Sequence, residues 1–203
     1  QYETNGFNQW QATQTLLERI LLNGHDAKIY VQAIQQTLPA VIAKDPLLAS
    51  RLFDVPTEGY LGSRIDTDYN PLVVNEAREA LLNTLARELG DLVKETYQQL
   101  NPLAEKEFSQ AMGVRALKNI MLSLMARQGD VEVFDFAYAQ YQNSNNMSER
   151  LGALKVLVWN DAPQAEETLI DFYLRFKDEA LSMDQWFMIQ ASHPKANADT
   201  IAY

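Results

Sequence analysis

PLVVNEAREALLNTLARELGDLVKETYQQL, residues 71–100, is the stretch whose reading decides the fold. Asn70 ahead of it is a good helix cap, and Pro71 sits where a first-turn proline is tolerated. Glu76 and Glu79 lie near the positive end of the helix dipole. Val74, Ala77, Leu81, Leu85, Leu89 and Leu92 recur at spacings of three or four, while Arg78, Glu79, Arg87, Glu88, Asp91, Lys94 and Glu95 occupy much of the remaining surface. The spacing predicts one amphipathic helix, about 45 Å long at roughly 1.5 Å per residue, a spine on which shorter helices pack. A spine is scaffold, so the chemistry is expected on a part of the protein outside this chain.

Upstream, Asn5-Gly6 precedes a helix over residues 7–22 with Trp10, Leu17, Ile20 and Leu21 on one stripe, stopped by Asn23-Gly24. Asp26 can cap a second helix over residues 27–43, with Tyr30, Val31, Ile34, Leu38 and Ile42 on one side. Pro39 lies inside this pattern and predicts a break or kink near Thr37 or Leu38. Asp45-Pro46 and Pro56-Thr57 start two short helices, and a polar turn, residues 65–69, leads to the spine. Downstream, Asn101-Pro102 ends the spine. The next helix starts near Leu103 or Ser109 and runs to Arg127, with Leu117, Ile120, Met121, Leu124 and Met125, stopping at Gln128-Gly129. Asp130 caps residues 131–142, with Phe134, Ala137, Tyr138 and Tyr141 inward. Ser148 caps a helix to Trp159, Asp161-Ala162-Pro163 opens another to about Ala180 with Leu169, Phe172, Tyr173 and Phe176 inward, and Ser182 caps a last one, residues 183–192, ended by Pro194.

No segment alternates as a strand does. Helices of this length on short loops predict antiparallel hairpins stacked as an all-α, armadillo- or HEAT-like superhelix fragment. The expected organisation is lead-in helices over 1–69, a spine over 70–100 and antiparallel pairs over 103–203, with no catalytic domain. Gln1 is not an initiator, and residues 197–203 read as the first turns of a further helix, so a fragment of a longer polypeptide is expected.

With 47% of its 203 residues apolar, the chain has ample material for a core. The net charge of -10, with acids and bases mixed along the chain, offers no basic face to nucleic acid or an anionic membrane. Cysteine is absent, which removes disulfides, thiolate ligands and cysteine nucleophiles. No apolar run reaches a membrane span and the first residues lack signal-peptide character, so a cytoplasmic protein is expected, with neither nucleic acid nor membrane as partner.

The two histidines, His25 and His193, stand beside turns and lack the His-Glu-x-x-His spacing that aims two imidazoles from one helix face at zinc. Glu76 with Glu79, or Glu166 with Glu167, read as solvated helix-face acids, because a catalytic pair needs a cleft that drives two pKa values apart. Trp186 and Ile189 at helical spacing read as core anchors ahead of a ligand-stacking platform. Asn146-Met147-Ser148 matches a glycosylation sequon, with Ser148 better used as a cap. No catalytic, cofactor-binding or metal residue is assigned.

Arg115-Ala116-Leu117-Lys118-Asn119, then Asn145-Asn146-Met147-Ser148-Glu149-Arg150-Leu151-Gly152-Ala153-Leu154, then Met183-Asp184-Gln185-Trp186-Phe187-Met188-Ile189-Gln190-Ala191 stand in an order and at distances that resemble the C-terminal helical domain of bacterial-type aminopeptidase N. Asn70-Pro71-Leu72 through Leu81 is similar to that family's Asp-Pro helix, and residues 7–17 to its approach, so the resemblance covers essentially the whole chain. Ser148-Glu149 replaces Thr-Asp, and Gln185 replaces a lysine. The family's His-Glu-x-x-His and downstream glutamate are missing from this chain. The resemblance implies a parent zinc-dependent aminopeptidase in which zinc polarises the scissile carbonyl and activates water and a glutamate acts as base. It implies that this segment, with no cofactor of its own, caps the active-site chamber against the catalytic domain of the same polypeptide and restricts entry to small peptides, the parent's substrates. The competing expectation is a free-standing helical-repeat interaction scaffold, favoured by an exposed apolar groove.

Overall fold

Asn5 opens the first helix by accepting the backbone N–H groups of Phe7 and Asn8 at 3.0 and 3.3 Å, so two of the helix's orphan donors are satisfied by one side chain. Gly24, at φ +66°, closes it in the left-handed conformation that glycine tolerates. The computed structural model describes residues 5–65, 69–100 and 108–196, the last span with side chains from residue 111. Its helices are α1 (Gly6–Asn23), α2 (Lys28–Lys44), α3 (Pro46–Arg51), α4 (Glu58–Gly62), α5 (Pro71–Leu89), α6 (Asp91–Leu100), α7 (Phe108–Ala126), α8 (Glu132–Asn143), α9 (Met147–Trp159), α10 (Ala165–Phe176) and α11 (Ala180–Ala191). The fold is all-α, as the periodicity predicts, with no strand among the described residues. The expected stop at Asn101-Pro102, the start near Leu103, the centre of the turn at 66–68 and the extra turns over 197–203 lie outside those residues.

The chain divides into two compact units, Gln1–Gln128 and Gly129–Tyr203. In the first, the expected continuous spine is interrupted. Gly90, at φ +43° and ψ -121°, leaves helical geometry and separates α5 from α6. The burial pattern is re-set there: Val74, Leu81, Leu85 and Leu89 are buried before it and Val93, Tyr97 and Leu100 after it, while Leu92 is half-exposed. The packing centre is α7, against which α3, α6 and α5 lie. Gly113 makes its contact with α3 possible, because a Cβ there would stand 2.3 Å from the backbone nitrogen of Leu47. Val114, Leu117, Met121, Leu122 and Met125 fill the space between these helices, each burial worth roughly 1.5–3 kcal/mol.

Pro39 does not break α2, which runs on to Lys44. Gln35 and Pro39 both lie on the exposed side, where water reaches the carbonyl that lost its N–H partner. Tyr30, from the same helix, is buried and donates its hydroxyl to the Leu52 carbonyl at 2.6 Å; burial pushes its ionisation well above the ordinary tyrosine range.

In the second unit α9 is central, packed by α8, α10 and α11. Tyr141 and Phe172 are fully buried against it with Ala153, Leu154 and Leu157. Four sequence expectations change. The cap of α9 is Asn146, which accepts the Glu149 N–H at 2.9 Å, while Ser148 lies inside the first turn. The helix expected to reach Ala180 stops at Phe176, and α11 starts at Ala180 with Glu179, not Ser182, in the cap position. Ser182 donates instead to the Glu179 carboxylate at 3.1 Å. Tyr173, expected inward, is exposed.

Candidate functional surface

The side chains singled out in the sequence do not converge. His25 is exposed in the turn after α1. His193 accepts the Lys195 backbone N–H at Nδ1 (2.9 Å), and its Nε2 stands 3.3 Å from Asp161. Asp161 also takes the Lys195 ammonium. That ammonium, more than the imidazole, holds the Asp161 carboxyl below the usual carboxylate range. Asp161 itself sits at φ +50°, so the turn after α9 is fastened to the turn after α11 by a residue in the left-handed region. The cluster is a staple within the second unit, with both imidazole nitrogens engaged.

Glu79 receives a two-pronged contact from Arg127, at 2.7 and 3.2 Å, and Arg127 also reaches Asn83 at 2.9 Å. Glu76 is exposed on the same helix, and Glu167 accepts the Tyr138 hydroxyl at 2.8 Å. Neither acid pair forms a cleft. Among the described residues no group of three histidine, aspartate or glutamate side chains is placed to hold a metal ion.

The Asn145–Arg150 motif builds a braced turn. Besides capping α9, Asn146 gives its Nδ2 to Glu149 at 2.6 Å, so the sequon amide is engaged in the cap. Gln140 donates to the Glu149 carbonyl at 2.9 Å, and Arg150 donates to the Ser144 carbonyl. The guanidinium of Arg150 lies 5.9 Å from the Tyr141 ring centre and 5.6 Å from that of Phe176, within cation–π range of both. Tyr141 donates to Asp171 at 2.7 Å, and Asp171 is held by Arg175 at 2.9 Å. Burial, with the Asp171 carboxylate second, pushes the Tyr141 ionisation well up, so the phenol stays a donor. Arg150 as a stacking partner was not legible in the spacing: it lies among polar residues at a helix start, and the rings it meets come from α8 and α10.

On the outer side of α10 and α11 lies an open groove of about 360 Å³, lined by Glu166, Leu169, Ile170, Tyr173, Leu174 and Trp186 among others. Trp186 forms its wall and donates its indole N–H to the Leu169 carbonyl at 3.0 Å. The tryptophan is thus the anchor with one polar handle that its spacing suggests, but half-buried, with one face on the groove.

A family model described as "Domain of unknown function (DUF3458_C) ARM repeats" matches residues 1–202. The chain is 28% identical over 209 aligned residues to an aminopeptidase N of Escherichia coli (strain K12), covering 95% of this chain and 23% of that protein. It is 25% identical to an aminopeptidase N of Caulobacter vibrioides, over 97% of this chain and 23% of that one. The crystal structure of Legionella pneumophila aminopeptidase A in complex with aspartic acid superposes with a TM-score of 0.80 at 21% identity, covering all of this chain and 25% of the other. The chain therefore spans about a quarter of the length of the relatives it matches.

Proposed function

We propose, for a chain that belongs to the family described as a domain of unknown function (DUF3458_C) of ARM repeats, a role as the non-catalytic helical part of a zinc-dependent aminopeptidase N. On this reading it caps the active-site chamber, packs on the catalytic domain of the same polypeptide and limits entry to peptides. The parent then removes N-terminal residues from peptides, in the cytoplasm. The observation that carries the reading is the match of nearly the whole chain to about a quarter of each of two aminopeptidases N.

On this reading zinc is held by the rest of the parent polypeptide. His193 is engaged at both nitrogens, and no set of three donors is assembled around it or around His25. The metal and its chemistry fall to the rest of the parent, and no step is assigned to this chain. What it contributes is wall: a closed chamber excludes water and orients the peptide's amino end.

Hydrolysis of alanyl and leucyl chromogenic amides, by this chain and by the intact polypeptide with zinc supplied, tests the reading. An inert chain beside an active polypeptide is expected. Hydrolysis that follows the purified chain would overturn it, as would an intact polypeptide without activity. The restriction of access has its own readout, the fall in kcat/KM with peptide length. A flat length profile in the active polypeptide would remove the capping role and leave the aminopeptidase assignment. The exposed α10–α11 groove favours a second reading, a free-standing helical-repeat scaffold, in which neither sample hydrolyses peptides.

A further inference from the structure

Two Asn-Gly pairs occur in the chain, Asn5-Gly6 and Asn23-Gly24, one at each end of α1. The pairs share a reactivity. Glycine has no Cβ to shield its backbone nitrogen, so that nitrogen can reach the carboxamide carbon of the asparagine before it. The structure treats the two pairs differently. The Asn5 side-chain oxygen accepts the N–H groups of Phe7 and Asn8 at 3.0 and 3.3 Å, so bringing its carboxamide onto the Gly6 nitrogen means giving up the cap of the helix. The Asn23 carboxamide serves in no cap. Asn23 is exposed on the last turn, followed by exposed Gly24, His25 and Asp26, and a Cβ at Gly24 would meet nothing within 4 Å. Little holds this turn closed. The Arg19 carbonyl takes both the Gly24 and the His25 N–H, the second at 3.4 Å, no basic side chain stands in the last turn, and Leu17 is the one buried residue of α1. A helix end of this kind opens locally far more readily than the fold as a whole.

We infer that Asn23 is a site of spontaneous deamidation and that the fold spares Asn5. When the last turn opens, the Gly24 nitrogen attacks Asn23 Cγ. The new C–N bond closes a succinimide ring, the Cγ–Nδ2 bond breaks, and Nδ2 leaves as ammonia with the proton that the Gly24 nitrogen loses. Water then adds to one of the two imide carbonyls and the C–N bond at that carbonyl breaks. The product is aspartate, or isoaspartate with the main chain rerouted through the side chain. Nothing is oxidised or reduced, and water is the only co-reactant. A new carboxylate now stands at the negative end of the α1 dipole, in the same turn as Asp26, whose carboxylate accepts the Lys28 N–H at 2.9 Å. Negative charge there loosens the turn between α1 and α2. The ammonia does not return, so the change runs one way and marks the age of the molecule.

The test holds the intact polypeptide at mildly alkaline pH in heavy-oxygen water, native and denatured side by side, and follows the peptides that contain Asn5 and Asn23 by mass spectrometry. Heavy oxygen in the product separates conversion during the incubation from conversion during digestion. In the denatured polypeptide both asparagines convert. In the native one Asn23 converts to aspartate and isoaspartate while Asn5 lags by roughly fivefold or more, the factor to which a cap's contribution of about 1 kcal/mol corresponds. Native Asn5 converting as fast as Asn23 overturns the inference, and so does a native Asn23 that stays intact while the denatured one converts. Two variants carry the second arm. Asn23→Gln should abolish the heavy-oxygen uptake of its peptide, and Asn23→Asp, which supplies the carboxylate without rerouting the main chain, should melt below Asn23→Gln. Uptake that survives Asn23→Gln would place the reaction elsewhere, and equal midpoints would remove the loosening of the turn.

Discussion

Asn146 shows what one residue type can and cannot announce. Asn146 and Ser148 are both good capping residues two positions apart, and composition does not choose between them. The choice is made by backbone angles: Asn146 is extended at φ -136°, ψ 151°, and its oxygen meets the Glu149 N–H. Asn146→Ala is expected to lower stability by about 0.5–2 kcal/mol, and Ser148→Ala by much less, in urea unfolding. Two carboxylates contribute to the acid limb of stability. Hydrogen bonding to Arg64 holds Glu18 below its ordinary value of 4.5, and the Lys195 ammonium holds Asp161 below 3.8. A depressed carboxylate stabilises the fold fully above the unfolded-state pKa and loses that contribution as pH falls through the folded one. The melting-temperature gap between the wild-type chain and Glu18→Gln or Asp161→Asn should therefore be widest at neutral pH and shrink as pH falls below these values. A gap that widens in acid would mean that the pairs do not act through charge.

The division between α5 and α6 belongs to the scale of elements. Gly90 falls inside the predicted spine, where an isolated glycine costs a helix only about 1 kcal/mol. What makes it a terminus is tertiary. The Gln128 side chain donates to the carbonyls of Ala86 and Gly90 at 3.0 and 3.2 Å, and Gln35 donates to the Glu88 carbonyl at 3.0 Å, so amides from α2 and from beyond α7 close the end of α5. Gln128→Ala should cost about 1–2 kcal/mol, since two carbonyls lose their donor. Gly90→Ala, at a φ of +43° with room for the methyl group, should cost about 1–3 kcal/mol through backbone strain alone. Gly113→Ala fails for the opposite reason, its backbone being helical and its space absent. Overpacking against Leu47 should cost at least about 1–3 kcal/mol, and hydrogen exchange should show the loss first in α3 and α7.

For the whole molecule, the net charge of -10 acts at long range, where individual pairs are screened. With acids and bases interspersed, the chain should leave a labelled DNA duplex at its free anisotropy even in low salt. Saturable, salt-sensitive binding would show a basic face that the composition hides. The family resemblance was also a whole-chain property, carried by three ordered motifs: the first lies in the unit Gln1–Gln128 and the other two in Gly129–Tyr203.

The sequence alone determined that the chain is all-helical, where most helices lie, and which family it belongs to. Helical periodicity, capping residues and short motifs are local, read over a few turns of chain. It did not determine which helix is central. α5 has the cleaner stripe, yet α7 forms the hub, because Gly113 lets a second backbone approach and because burial depends on what arrives from elsewhere in the chain. The end of α5 at Gly90 and the ring stack around Arg150 were decided the same way, by groups distant in sequence. So was the exposure of Ile170 and Leu174: their apolar character is local, but whether a neighbour covers it is a tertiary fact.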